Sequence, residues 1–155
     1  MIRLQKATLD DITAMREMVV DEINDGVILN RTSDEVATNI RSYILAKDDK
    51  SGKIVGYGAL HIHSVRLAEI RSLIVSSEYR GCGVGRDIVA NLLKEAKELR
   101  VGEDVLVLTY LPEFFKRLGF VEIAKENIPE HKIWADCIKC IHFPICNEVA
   151  LVYKV

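Results

Sequence analysis

The sequence predicts a mixed α/β domain, and three observations predict this fold class. Short segments of alternating or continuous apolar residues, typical of strands, recur along the chain, for example at 54–62 and 67–75. After Gly83, apolar residues stand at helical spacing with polar residues between them, which indicates a long amphipathic helix. The link between the two strand segments is too short for a helical crossover, so these strands should pair antiparallel. We therefore expect one domain over residues 1–155, with a mixed, mostly antiparallel sheet flanked by helices.

Capping residues predict where the first two helices begin. Thr8 precedes two aspartates, which suit the positive end of a helix dipole, so a helix should start there. Thr32 and Glu35 have the spacing of a capping box, so a second helix should follow Thr32 and carry Ile40 and Tyr43. The remaining elements follow from periodicity and turn residues: strands at 2–6, 42–47, 54–62, 67–75, 105–108, 120–123 and 149–155, and helices at 84–99 and 112–118.

Composition excludes several classes of protein. The 155 residues are 49% hydrophobic and 28% charged with a net charge of −2, so the chain is globular and lacks the basic excess of a nucleic-acid binder. Its apolar runs are too short to span a bilayer, and residues 1–6 lack the apolar core of a signal peptide. We therefore expect a cytoplasmic protein with neither a nucleic-acid nor a membrane partner.

A glycine-rich loop before the long helix predicts an anion site. Gly81, Gly83 and Gly85 allow positive φ and a close approach of ligand to the backbone, and the helix start supplies unpaired N–H groups. Arg80 and Arg86 flank the loop and can add charge-assisted hydrogen bonds. A pyrophosphate suits this chemistry, so residues 80–86 form a candidate cofactor cradle.

The cradle also contains Cys82 and Val84, and it departs from two other nucleotide-binding patterns. Position 86 is Arg, so the loop does not complete G-x-G-x-x-G, and no Gly-Lys-Ser/Thr follows as in a P-loop. The alternative is a helix start whose glycines serve tight packing alone.

The cradle and its neighbours resemble a known family. Residues 68–75 (AEIRSLIV) with 79–85 (YRGCGVG) look like the core motif of the GNAT superfamily of acetyl-CoA-dependent N-acetyltransferases. Residues 114–120 (FFKRLGF) resemble the second motif of that superfamily. The resemblance implies an α/β domain whose sheet splays open between the strands at 67–75 and 105–108, with acetyl-CoA as co-substrate.

The resemblance also implies where the cofactor lies. Its pantetheine arm would occupy the splayed gap and bond to the backbone of Leu73, Ile74 and Val75, and the cradle at 80–86 would hold its pyrophosphate. A backbone N–H of the same strand would polarise the thioester carbonyl.

Acetyl transfer needs a neutral amine and a proton for the leaving thiolate. Glu69 is the candidate base, acting directly or through water; the alternative is a solvated strand carboxylate. Many relatives carry Tyr as the proton donor where this chain has Phe115, which has no proton to give. Tyr110 is near in sequence but precedes Pro112, so it does not match that position, and the acid stays unassigned.

Further segments narrow the resemblance to short amino-acid N-acetyltransferases of the N-acetylglutamate synthase type. They are residues 29–32 with 39–41, 108–115 and 132–137. This implies L-glutamate as the small-molecule acceptor, in the first step of arginine synthesis, although those relatives usually carry Pro where this chain has Asn30. Arg31, Arg71 and Lys132 are candidate cations for the carboxylates of glutamate, or else surface charges.

The segment near the C-terminus contains four side chains that can ligate a metal, and it has two interpretations. These side chains are Cys137, Cys140, His142 and Cys146. A tetrahedral zinc site uses these residue types, but one C-x-x-C with a histidine two residues on would need a strongly curved loop. Partly buried free cysteines are the alternative and the one we favour, so no metal is expected.

Two alternatives to a glutamate acceptor stay open at this stage. The same fold can acetylate a polyamine, a peptide N-terminus or a drug amine. A non-catalytic acyl-CoA sensor is compatible with Phe115. The oligomeric state is not fixed, and a homodimer is compatible with the sequence.

Overall fold

A computed structural model describes residues 1–26, 30–124, 127 and 148–155. The strands are Ile2–Lys6 (β1), Tyr43–Asp48 (β2), Ile54–Ile62 (β3), Leu67–Val75 (β4), Asp104–Thr109 (β5), Val121–Ile123 (β6) and Val149–Lys154 (β7). The helices are Ile12–Met18 (α1), Val20–Asn24 (α2), Ser33–Thr38 (α3), Val84–Glu98 (α4) and Pro112–Arg117 (α5). Within the described residues, no helix has both the length and the apolar character that crossing a membrane requires.

The described strands form one seven-stranded sheet in the order β1-β2-β3-β4-β5-β7-β6. Neighbours pair antiparallel except β4 and β5, which are parallel. Helix α4 connects those two strands, as a parallel pair requires. The prediction of a mixed, mostly antiparallel sheet is therefore confirmed, including the antiparallel pairing of 54–62 with 67–75.

Helix α4 covers one face of the sheet. Its apolar stripe, including Ile88, Leu92 and Ala96, is fully buried, as the spacing predicts. Leu99 was expected on the same stripe but is 61% exposed, because α4 ends at Glu98. Burial of one such side chain stabilises the fold by about 1.5–3 kcal/mol, so this stripe fixes α4, and with it the cradle, against the sheet.

The opposite face of the sheet is covered by the N-terminal helices. Met15 of α1 and Val36 of α3 pack with Leu45 and Tyr57 in a second core cluster. The Tyr57 hydroxyl donates a 3.1 Å hydrogen bond to the carbonyl of Met15 and so ties α1 to β3. The sheet is thus sandwiched, and the gap between β4 and β5 opens between the two layers.

The N-terminal helices are shorter than predicted. The helical spacing of apolar residues after Thr8 continues to Ile23 and predicts a single helix; instead a 3-10 turn leads into α1, which ends at Met18, and α2 begins at Val20. The Thr32 capping box is confirmed, but the second helix does not carry Ile40 and Tyr43. It ends at Thr38, and Tyr43 pairs with Ala59 in the sheet, in agreement with the strand predicted at 42–47.

Candidate active site

A cleft opens where β4 and β5 part. The two strands pair only from Leu67 to Glu69 on β4, and beyond Glu69 they diverge. The gap has a volume of about 600 Å³ and is walled by residues 70–75 on one side and 107–111 on the other. This is the splayed sheet that the sequence motifs imply, and it is large enough for an extended organic ligand.

A bulge re-aims β4 inside the cleft. Ser72 has φ +58°, which is rare for a residue with a side chain, and Ser72 with Leu73 opposes the single residue Gly58 of β3. A side chain at Gly58 would lie 3.1 Å from Ile88 and 3.3 Å from Leu73, so only glycine lets α4 pack this closely. Past the bulge, β4 has no ladder partner on β5 among the described residues, so the backbone groups on that edge, apart from the Val75 carbonyl that Arg80 engages, can bond to a ligand.

The cradle lies at the end of β4, where α4 begins. Gly81 and Gly83 have φ values of +80° and +85°, the left-handed conformation that glycine adopts at little cost, and Gly83 is the N-cap of α4. Arg80 donates a 3.1 Å hydrogen bond from Nε to the carbonyl of Val75, which anchors the loop to the strand. The guanidinium of Arg86 folds back over Gly83, within 2.9 Å of where a β-carbon would stand. Two arginines and a helix N-terminus thus converge on one loop, as an anion site requires.

Helix α5 closes the other side of the cleft. The Phe114 ring lies 3.3 Å from the position of a β-carbon on Gly85, so this glycine lets the ring pack against the start of α4. Phe115 is buried, stacks edge-on against Phe114 and Phe120, and also lines the cleft. The second aromatic position therefore supplies an apolar wall and no proton.

Two tyrosines, which sequence reasoning did not assign to the cofactor site, stand in the cleft wall. The Tyr79 hydroxyl donates a 2.8 Å hydrogen bond to Asp48, and that bond raises the pKa of the Tyr79 phenol. Tyr110 follows β5 and lines the cleft, with its hydroxyl oxygen buried. Tyr110 lies between the end of β5 at Thr109 and the start of α5 at Pro112, outside both elements.

Glu69 lies at the apex of the cleft, at the last pair between β4 and β5. Its side chain is 3% exposed, and its Oε1 lies 2.9 Å from Nε2 of His63, which is equally buried. The His63 ring packs edge-on against His61, the strand partner of Glu69, at a ring distance of 4.7 Å. Glu69 adjoins the wall residue Ile70 but is not itself among the described residues that line the cleft.

The cleft is lined by charges of both signs besides the cradle arginines. Arg71 stands in the wall directly before the bulge, and Glu22 of α2 reaches the same cleft. Arg31 lines a small adjoining pocket that shares Ser72 with the cleft. Lys132 lies outside the described residues, as do Cys137, Cys140, His142 and Cys146.

The structure brings most of the predicted cofactor residues together. The cleft is lined by Leu73, Ile74, Val75, Arg80, Gly81, Gly83, Val84, Gly85 and Arg86. Cys82 is exposed and is not among the described lining residues; its thiol lies 3.9 Å from the carbonyl of Arg80. Sequence reasoning assigned no role to Ser72 and Tyr79, although both lie within the quoted motif segments, and it missed Glu22, which belongs to no motif.

Comparisons with known proteins agree with this geometry. Residues 12–120 match the model of the acetyltransferase (GNAT) family. An uncharacterized N-acetyltransferase of Chlorobaculum tepidum is 38% identical over 96% of this chain and 94% of its own length. An amino-acid acetyltransferase of Mycobacterium tuberculosis is 35% identical over 77% of this chain and 68% of its own length.

Solved structures share the fold. N-acetylglutamate synthase of Neisseria gonorrhoeae, complexed with coenzyme A and N-acetyl-glutamate, superposes with a TM-score of 0.86 at 20% identity; the match covers 99% of this chain but 35% of the synthase. A Mycobacterium tuberculosis protein in complex with CoA and the ligand NLQ gives a TM-score of 0.83 at 26% identity over 99% of both chains. The chain belongs to the acetyltransferase (GNAT) family and is an acetyl-CoA-dependent N-acetyltransferase.

Proposed function

We propose that the chain acetylates the α-amine of a free amino acid, with L-glutamate as the acceptor, in the first step of arginine synthesis. The observation that carries this proposal is Arg71, whose side chain stands in the cleft wall beside the bulge, where an acceptor carboxylate would lie next to the thioester. A guanidinium binds a carboxylate through two parallel hydrogen bonds, so Arg71 can orient an amino acid and not merely attract it. The similarity to amino-acid acetyltransferases supports the same acceptor class.

Acetyl-CoA would lie along β4 with its pyrophosphate on the cradle. The amides of residues 73–75 would bond to the pantetheine arm, and a backbone N–H near Ser72 would face the thioester carbonyl. Such a fixed N–H stabilises the oxyanion that forms when the amine attacks, because the dipole is already oriented.

We propose Glu69 as the proton acceptor for the amine. Because its carboxylate is buried beside His63 and off the described cleft wall, the proton would pass through water between the amine and Glu69. We propose Tyr110 as the donor to the departing thiolate, since its hydroxyl is the nearest replacement in the wall for the one that Phe115 lacks. The Tyr79 phenol is a poorer proton donor because its hydroxyl already donates a hydrogen bond to Asp48.

The remaining assignments extend this proposal. Arg31 and Lys132 would bind the second carboxylate of glutamate, Arg31 from the pocket that adjoins Ser72. We place the reaction in the cytoplasm and in a single domain that can assemble as a homodimer.

The experiment is an assay of thiol release from acetyl-CoA against a panel of amines. The panel contains L-glutamate, L-glutamine, L-aspartate, a polyamine, a peptide with a free N-terminal amine and an aminoglycoside. Saturable turnover with glutamate, lost in Arg71→Ala while acetyl-CoA still binds, is the expected result. Turnover confined to a non-amino-acid amine would refute the acceptor class, and CoA binding without turnover on any amine would favour a sensor.

A further inference from the structure

Glu22 presents an unsatisfied carboxylate oxygen at the acceptor end of the cleft. It lies on α2 and lines the cleft that Arg71 and Ser72 also line. Its Oε2 is shielded from solvent and has no hydrogen-bond partner among the described residues. No motif and no part of the proposed mechanism uses this side chain.

Such an oxygen destabilises the folded protein unless a ligand donates a hydrogen bond to it. A buried polar atom without a partner destabilises a protein by about 1–3 kcal/mol, more when it carries charge, and native structures contain few of them. The surroundings of Glu22 are apolar enough for its charge to act on neighbours: burial chiefly raises the pKa of Tyr57, and the charges of Tyr43 and Glu22 raise it further. A hydrogen-bond donor that arrives with the substrate would remove this cost.

The charges around Glu22 fit an amino acid. A free amino acid carries an ammonium and a carboxylate on one carbon. Glu22 offers the acceptor that an ammonium needs, and Arg71 in the same cleft offers the cation that a carboxylate needs. Opposite charges in one cleft would select this zwitterion over a plain polyamine, which would be repelled by Arg71.

We propose that Glu22 binds the ammonium group of the incoming acceptor and holds it beside the bulge at Ser72. This inference rests on the proposed amino-acid acetyltransferase function and adds the residue that recognises the amine. It also gives the two glutamate residues of the site different roles. Glu22 binds the acceptor, whereas Glu69, which contacts His63, accepts the proton from the amine.

The test compares Glu22→Gln with the control Asp21→Asn. Asp21 is the adjacent, exposed residue of α2, so its substitution removes the same charge from the same helix. Both variants and the wild type are assayed for the KM of the acceptor, the KM of acetyl-CoA, kcat and Tm, on whichever amine of the panel the wild type acetylates. We expect Glu22→Gln to raise the acceptor KM by at least about tenfold, because an ammonium–carboxylate ion pair becomes a weaker hydrogen bond from the ammonium to a neutral amide. Asp21→Asn should change no parameter.

Two further measurements distinguish a loss of acceptor binding from a loss of folding stability. The KM for acetyl-CoA should stay within about twofold of wild type, and Tm should not fall, because Gln removes the charge from a shielded oxygen that has no hydrogen-bond partner in the described part of the chain. Unchanged acceptor KM in Glu22→Gln, or a loss of Tm that accounts for lost activity, would overturn the proposal. The amino-acid assignment can fail separately: turnover of a polyamine alone that is still weakened in Glu22→Gln would refute the acceptor class and keep the role of Glu22.

Discussion

Substituting alanine at the cradle glycines tests whether the left-handed backbone there serves acetyl-CoA. Gly81 has φ +80°, and a β-carbon on it would meet no atom within 4 Å, so alanine costs only the conformation itself. That cost is about 1–2 kcal/mol for an L-residue in the left-handed region. The loop can avoid this cost by leaving the cradle conformation. Binding of acetyl-CoA must then restore that conformation, so its affinity falls by about 5- to 30-fold, which is the same energy expressed as a ratio of dissociation constants.

Gly52 supplies a matched control. It has φ +71°, also has open space around it, and lies in the turn between β2 and β3, away from the cleft. Gly52→Ala should therefore lower Tm by about 2–8 °C, which is about 2–4 °C per kcal/mol for a chain of this size, and Gly81→Ala should lower it by less, because its loop releases the strain by leaving the cradle conformation. Only Gly81→Ala should weaken acetyl-CoA binding.

Gly83→Ala should have the larger effect on the cofactor. Its β-carbon would stand 2.9 Å from the guanidinium of Arg86, so the substitution both strains the backbone and displaces a cation of the cradle. Calorimetric titration with CoA and thermal unfolding of Gly52→Ala, Gly81→Ala and Gly83→Ala give all the quantities needed. Equal CoA affinity in the three variants would refute the cradle, whereas a loss shared by Gly52→Ala would show that stability alone was at work.

Three further perturbations address stability in acid, the apex of the cleft and the proton donor. Burial acts to raise the pKa of Asp11, but hydrogen bonds from the backbone N–H of Thr8 and from Lys47 outweigh burial, and the net effect lowers this pKa. These bonds therefore stabilise the fold above a pH of about 4, the ordinary pKa of an aspartate, and their contribution is lost as the pH falls below that value. Asp11→Asn should thus lower the urea midpoint at pH 7 and have no effect near pH 2. His63→Ala should lower the free energy of unfolding by about 2 kcal/mol, through loss of the 2.9 Å contact to buried Glu69, and an unchanged denaturation curve would contradict that contact. Tyr110→Phe should lower kcat by about 100-fold and leave the KM for acetyl-CoA unaltered; retention of full kcat would exclude this tyrosine as the acid.

The cofactor half of the site was predictable because its requirements are local. Positive φ at Gly81 and Gly83 is a property of single residues, and the α4 stripe needs only helical spacing. Both signals are readable in a short window of sequence, and the structure places them as expected.

The bulge at Ser72 was not predictable in the same way. Serine has no preference for φ +58°, and the residue adopts it because Gly58 and α4 set the register of β3 against β4. The buried contact of Glu69 with His63 likewise depends on that register, since the strand partner of Glu69 is His61. Pairing between segments decides these features, so no window of sequence contains them.

The acceptor half is built from elements with weak local signals. The predicted first helix breaks at Val19, and this break makes α2 a separate short helix that carries Glu22 into the cleft. Isolated helices of this length do not form, so α2 owes its place to packing. If Glu22 binds the acceptor as we propose, acceptor recognition rests on a segment whose place depends on packing, while the cradle is fixed by the buried stripe of α4. This division explains how one fold can keep acetyl-CoA and exchange the amine it acetylates.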